Sequence, residues 1–320
     1  MYMLIFDAHI DTLSLLLTSS RISRPRQTLA GAEGHVNLEY LRQGNIGAQF
    51  WAAFVHPRSY NGLALHDTLE KIDFFWTMLD DYPDYLTFAG SAQDIRAAQA
   101  TGRLACLLAV EGGEALEGKL AHLRNLYRLG VRLLTLTWNF RNDLGAGQME
   151  GPEGGGLSRF GLEVVEEMNR LGMLIDVSHL NEPGFWDVIE ASSSPVIASH
   201  SNAKALCDHP RNLTDEQIRA IADGGGVIGV NFCTAFLTSS GAATLDDVLN
   251  HIDYLVKVGG IETVGLGSDF DGITETPIGL ENCSRTLILA DGLNGRGYSV
   301  DAIEKIMGGN LLRLCANVLG

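Results

Sequence analysis

The chain has 320 residues, 46% of them hydrophobic, and a barrel of about 250 residues with additions fits this length as one domain over 1–320. Thirty-nine Asp and Glu against 23 Lys and Arg give a formal charge of −16, which repels nucleic acid and anionic lipid and leaves a small molecule as the natural partner. Cys106, Cys207, Cys233, Cys283 and Cys315 are odd in number and form no C-x-x-C pair, which argues against a disulfide framework or a thiolate zinc site. The opening Met1-Tyr2-Met3-Leu4-Ile5 carries no basic leader, and no apolar stretch approaches the roughly 20 residues that span a bilayer. A cytoplasmic protein with no membrane anchor is the expectation.

Leu4 to Ala8 is the first strand-like run, and it leads into Phe6-Asp7-Ala8-His9-Ile10-Asp11. Alternate residues of a strand share a side, so His9 and Asp11 can present an imidazole and a carboxylate to one metal ion. Ile46 to Val55 is the second run; Leu104 to Val110 is the third and is followed by Glu111; Val131 to Thr137 is the fourth. The Gly-rich segment Gly145 to Gly156 lacks the Lys-Ser/Thr ending of a P-loop and reads as a mobile active-site loop. Leu162, Val165, Met168 and Leu171 recur at helical spacing and stop near Gly172. Met173 to Val177 and Val196 to Ala198 are the fifth and sixth runs, followed closely by His179 and His200. Thr214-Asp215-Glu216-Gln217 reads as a capping box whose helix ends at Gly224-Gly225-Gly226. Val227 to Asn231 and Thr263 to Leu266 complete eight runs, the last leading to Asp269 in Gly267-Ser268-Asp269-Phe270-Asp271-Gly272.

Continuous apolar runs separated by amphipathic stretches argue for parallel strands covered on both faces. An open doubly wound sheet is built from the same alternation. The closed (β/α)8 TIM barrel is favoured, because chemistry-bearing side chains follow the first, third, fifth, sixth and eighth runs, as they do where catalytic groups converge from strand C-termini.

The ligand types predict two metal positions. His9, Asp11 and Glu111 offer one ion a nitrogen and two oxygens; Glu111, His179 and His200 offer a second ion two nitrogens and an oxygen, with Glu111 as the bridge. Two Zn2+ ions suit this donor set, although Mn, Co and Fe accept similar ligands; ions about 3.5–4 Å apart can share an activated water and polarise a carbonyl. Asp269 is placed to take a proton from that water and pass it to a leaving amine, while Asp271 reads as a turn cap or faces away. His35, His56, His66, His122, His209 and His251 lack strand-end placement and read as structural or surface residues.

With these residues in view, the chain resembles the membrane (renal) dipeptidases, metallopeptidase family M19 of the amidohydrolase-like barrels, over nearly its whole length. The resemblance rests on Asp7-Ala8-His9-Ile10-Asp11, Gly47-Ala48-Gln49-Phe50-Trp51, Glu111-Gly112-Gly113, Leu134-Thr135-Leu136-Thr137 and Asp176-Val177-Ser178-His179. Further on it rests on Ser199-His200-Ser201, Pro210-Arg211-Asn212, Gly267 to Gly272 and Gly309-Asn310-Leu311-Leu312-Arg313. It implies the same binuclear zinc ligands, Asp269 as the proton shuttle, and Arg211 as the holder of a dipeptide's C-terminal carboxylate, with tolerance for a D-residue there. A homodimer is ordinary for the family.

The chain departs from that pattern at Trp138. Well-known members carry His directly after Leu-Thr-Leu-Thr, where it stabilises the tetrahedral oxyanion, whereas an indole offers only an N–H. Trp138 and its neighbour Asn139 thus become the candidate substrate contacts of this strand end, with Arg141 and Asn142 or a metal as other sources of oxyanion stabilisation, unless the substrate itself differs. Cys233-Thr234-Ala235-Phe236, following Val230-Asn231-Phe232, is also less polar than the tyrosine-containing segment of the animal enzymes. The expected activity is hydrolysis of a dipeptide amide bond. Its rivals are another amidohydrolase activity (N-acyl amino acid hydrolase, lactonase or deaminase) and a silent peptide-binding relative. Many such hydrolases bridge their metals with a modified Lys after the fourth strand, and here that strand ends in Thr137-Trp138.

Overall fold

The apolar runs become parallel strands because their backbones pair on both sides while their side chains find cover on both faces. The computed structural model describes residues 3–22, 28–56 and 63–320, so Met1 and Tyr2 of the leader reading lie outside the described residues. The strands are β1 (Ile5–Ile10), β2 (Ile46–Phe54), β3 (Leu86–Phe88), β4 (Leu104–Glu111), β5 (Val131–Thr135), β6 (Leu174–Asp176), β7 (Ile197–Ala198), β8 (Val227–Val230) and β9 (Val264–Leu266). Every residue of β4 is buried, as a strand between a filled barrel and a helical shell must be.

Eight strands close the barrel in the order β1, β2, β4, β5, β6, β7, β8, β9 and back to β1, all parallel. The ninth, β3, has no counterpart among the eight expected runs; it adds three residues of pairing beside the start of β4. Helices cover the outside, among them Arg159–Leu171, which ends at Gly172 in the left-handed conformation, and Asp215–Asp223, which opens on the Thr214–Gln217 capping box and stops at Gly224. No helix among the described residues is long and apolar enough to cross a membrane.

Strand alternation explains why one end of the barrel is greasy and the other polar. Ala105, Leu107 and Ala109 of β4, Leu133 of β5, Leu174 of β6, Ile197 of β7 and Val227 of β8 share one buried cluster with Leu311, Leu314 and Cys315 of the helix Asn310–Val318. That helix closes the N-terminal mouth; Leu311 stands where a Cβ on Gly265 would be 3.1 Å from it. Two residues further along the same faces come Glu111, Thr135, Asp176, Ser199, Gly229 and Gly267. The strands therefore end in a polar layer. Gly229 and Gly267 lie against the Ser199 carbonyl so closely that any side chain at either would strike it.

Candidate active site

Glu111 ends β4 on the inward face, 3% exposed, and the other predicted ligands gather around its two oxygens. His179 Nε2 is 3.0 Å and His200 Nε2 3.6 Å from Oε1, while His9 Nε2 is 3.5 Å from Oε2 and 3.4 Å from Asp11 Oδ2. Two trios result, His9–Asp11–Glu111 and Glu111–His179–His200, each with its donor atoms within 4.8 Å of one another; Asp269 forms a third with His9 and His200. His179 and Asp269 both adopt positive φ, 69° and 62°, and Gly112 after Glu111 has φ 105°. Such backbone strain costs of order 1–3 kcal/mol per non-glycine residue and is tolerated where the fold must aim a side chain.

The hydrogen bonds on the far sides of the imidazoles decide their tautomers. His179 Nδ1 donates to Asn139 Oδ1 at 2.7 Å, an oxygen that also accepts from Gln148 Nε2. Ser199 Oγ donates to Asp176 Oδ2 at 2.6 Å, so its lone pair is left to accept from His200 Nδ1 at 2.7 Å. Both rings then carry their proton on Nδ1, and their bare Nε2 atoms face each other at 2.8 Å. Two lone pairs at that separation repel unless a cation lies with them. His9 Nδ1, His9 Nε2 and Asp11 Oδ1 are likewise buried without a hydrogen-bond partner. Neutral imidazoles, carboxylates and a shared Glu are the donor set that divalent transition ions take, so the residues present fit such a metal.

Electrostatics agree with a site built for positive charge. Burial works to lower the His9 pKa, but the Glu111 and Asp11 carboxylates outweigh it and hold the ring well above its ordinary value. Burial, with Arg211 and the charge of His9 adding to it, keeps His179 and His200 well below theirs, as neutral ligands require. Burial pushes Glu111 up to about 7 against the pull of His9. Asp269 is pushed up to about 6 by burial and Asp11, opposed by His9, by the hydrogen bond from Asn231 Nδ2 at 3.0 Å, and by Arg211. A carboxyl in that range can both accept and return a proton near neutral pH.

A cavity of about 740 Å³ opens over this cluster, and Asp11, Glu111, His179, Asp269, Arg211, Trp138 and Asn139 all line it. Arg211 is 5% exposed; one Nη donates to the His200 carbonyl at 3.1 Å, its Nε has no partner, and its guanidinium lies over the Phe236 ring. Trp138 meets Phe54 edge-on at 5.3 Å and stands 6.2 Å from the His179 ring. Of Asn139, Arg141 and Asn142, the polar residues that follow it in sequence, Asn139 lines the cavity. Arg141 pairs with the Gly154 carbonyl and Glu150, and Asn142 spends its amide on Glu114, the Leu136 carbonyl and the Leu144 N–H. Asp271 accepts from Thr12 Oγ1 and the His35 N–H, as a turn cap does, but it does not face away: it lines the same cavity. The Gly145–Gly156 segment brings Gln148 and Met149 to the cavity and is tied back by Asn181 Nδ2, which donates to the carbonyls of Gly151 and Gly155.

Sequence reasoning missed the residues that hold the candidate ligands. Asp176 accepts from Thr135, Ser178 and Ser199, and Asp7 accepts from the N–H and hydroxyl of Ser268 and the N–H of His9. A carboxylate inside an otherwise apolar strand was the available signal, since burial without donors is costly. His35 and His251 have the structural roles expected: His35 Nδ1 accepts the Asp271 N–H, and His251 bridges the Ala203 N–H and the Leu237 carbonyl. His209, by contrast, lies on the cavity wall.

The family profile described as membrane dipeptidase (peptidase family M19) matches residues 1–319. An uncharacterised dipeptidase of Schizosaccharomyces pombe is 39% identical over 300 residues, covering 89% of this chain and 72% of its own. Among solved structures, dipeptidase AC, a metallopeptidase of family M19, superposes with a TM-score of 0.93 at 31% identity, covering 99% of both chains. A metallopeptidase from Rhodobacter sphaeroides, liganded with a phosphinate mimic of the dipeptide L-Ala-D-Ala, does so with a TM-score of 0.92 at 30% identity, again covering 99% of both chains. The chain belongs to the membrane dipeptidase family, peptidase family M19, and is a metal-dependent dipeptidase.

Proposed function

We propose that the protein is a binuclear zinc dipeptidase in which His9, Asp11 and Glu111 hold one ion and Glu111, His179 and His200 the other. The observation that carries this reading is the pair of bare Nε2 atoms of His179 and His200, 2.8 Å apart beside the Glu111 carboxylate. When bound, the two ions would polarise the scissile carbonyl and lower the pKa of the attacking water. The protein's own groups do the rest. Asp269 takes the water's proton and returns it to the departing amine; its position beside the cluster and its raised pKa support that role. Arg211 binds the C-terminal carboxylate, supported by its burial and its unpartnered Nε on the cavity wall. Trp138 closes the opposite side as an apolar wall with Phe54, and Asn139 fixes His179 while lining the same space.

Dipeptides ending in a D-residue fall within the proposed substrate range, because the ligand of the Rhodobacter sphaeroides relative mimics L-Ala-D-Ala. Cytoplasmic residence belongs to the same proposal, supported by five free thiols. Amino-acid release from a panel of L-L and L-D dipeptides tests the reading, with zinc-loaded and chelator-treated protein beside Asp269→Asn and Glu111→Gln. Release should require metal; it should collapse in Asp269→Asn with both ions retained, and in Glu111→Gln together with metal content. Full activity in Glu111→Gln with two ions bound would refute the bridge, and turnover of a lactone or an aminated base in place of dipeptides would refute the substrate.

A further inference from the structure

One wall of the cavity is a stack of three side chains, His209, Phe236 and Arg211. His209 packs on Phe236 with ring centroids 4.4 Å apart, and the Arg211 guanidinium lies over the same Phe236 ring at 5.5 Å. Asn212 clamps the two segments together, its Nδ2 donating to the carbonyls of Cys207 at 2.9 Å and Phe236 at 2.8 Å. The stack is therefore a built feature of the wall.

Its hydrogen bonding orients the imidazole. The backbone N–H of Arg211 donates to His209 Nδ1 at 3.2 Å, which places the proton of the neutral ring on Nε2. Burial, reinforced by Arg211, lowers the His209 pKa and keeps the ring neutral. Nε2 has no hydrogen-bond partner among the described residues, and His209 lines the cavity alongside Arg211 and Phe236. A carboxylate offers about four lone-pair sites, and Arg211 has already given one Nη to the His200 carbonyl. A neutral donor next to the guanidinium adds a contact without adding a second like charge.

We propose that His209 is a specificity-determining residue whose Nε2–H donates to the substrate's C-terminal carboxylate beside Arg211. This rests on the reading of Arg211 as the carboxylate site, and it adds that the stack selects free acids over C-terminally blocked analogues. His209→Phe keeps a ring on Phe236 and removes the donor, whereas His209→Gln keeps an N–H near the Nε2 position.

The experiment measures kcat and KM for a dipeptide and for its C-terminal amide, with the wild type, both His209 variants and Arg211→Met, all zinc-loaded. For the free acid, His209→Phe should raise KM about tenfold, the loss of one hydrogen bond to a charged group, with kcat within about twofold. His209→Gln should recover most of that loss, and the amide should show no difference between His209→Phe and wild type. Equal KM in His209→Phe and wild type, or equal losses on acid and amide, would overturn the proposal while leaving Arg211 in place if Arg211→Met still raises KM for the acid alone. A wild type indifferent to the acid–amide change would overturn both. Should His209→Phe fail to fold, His209→Ala serves for the same comparison.

Discussion

Replacing Asp176 by Asn changes one atom outside the cavity lining, yet it should disable a proposed metal ligand. Asp176 is fully buried, with Oδ1 accepting the N–H groups of Ser178 and Ser199 and Oδ2 accepting the hydroxyls of Thr135 and Ser199, both at 2.6 Å. An asparagine oxygen can keep the two backbone donors, but its amide then stands where Oδ2 stood and offers protons to hydroxyls that were themselves donating. Each lost bond to a charged group is worth about 1.5–3 kcal/mol, so up to about 6 kcal/mol of stability is at stake before the hydroxyls rotate. Rotation carries the larger consequence. Once Ser199 accepts from the introduced amide it turns its own proton toward His200 Nδ1, and the proton of His200 moves to Nε2, the atom proposed to bind the metal. Losses of such outer partners typically cost about 10–100-fold in metal affinity. Competition titration against a chelator, with denaturant unfolding of the stripped protein in parallel, measures both effects. Wild-type affinity in Asp176→Asn would refute the tautomer argument, even if the protein were destabilised.

Two further outcomes follow from the same geometry. A Cβ at residue 272 would collide with Asp11 Oδ2 and come within 2.5 Å of Asp269 Oδ1. Gly272→Ala should therefore keep its fold but displace both carboxylates, lowering kcat/KM by about 100-fold for a shift of order 1 Å; near-normal turnover would show that the two side chains relax at no cost. Stripped protein at pH 7 should release about one to two protons on binding metal, because His9 holds its proton well above its ordinary value and Glu111 up to about 7. Since both shifts are upward, metal affinity should rise as pH rises through that range. Calorimetric titration in buffers of different ionisation enthalpy reads the proton count, and a count of zero would contradict both pKa directions.

Much of this protein is legible in one dimension, because a parallel barrel strand is short and largely apolar, and the first, third, fifth, sixth and eighth runs lead directly into candidate site residues. Eight runs found in that way are the eight barrel strands, and His9, Asp11, Glu111, His179, His200 and Asp269 all come together at their ends. The helices around Leu162 and after Thr214 were equally readable, since caps and 3.6-residue spacing are local properties. Strand β3 escaped because three residues carry no usable period.

What the linear order could not supply is any relation between residues on different strands. Asp176 reaches Ser199 from a neighbouring strand, Asp7 grips Ser268 from 261 positions away, and the proton of His200 is placed by that first contact. His209 has the local context of a surface loop residue, and only the packing of Phe236 and the fold of the Arg211 backbone bring its ring to the cavity wall. Composition and periodicity determine which side chains stand at strand ends, since hydrophobic burial is decided residue by residue. Tautomer, donor direction and pocket membership depend on contacts between distant segments, and those exist only once the barrel has closed.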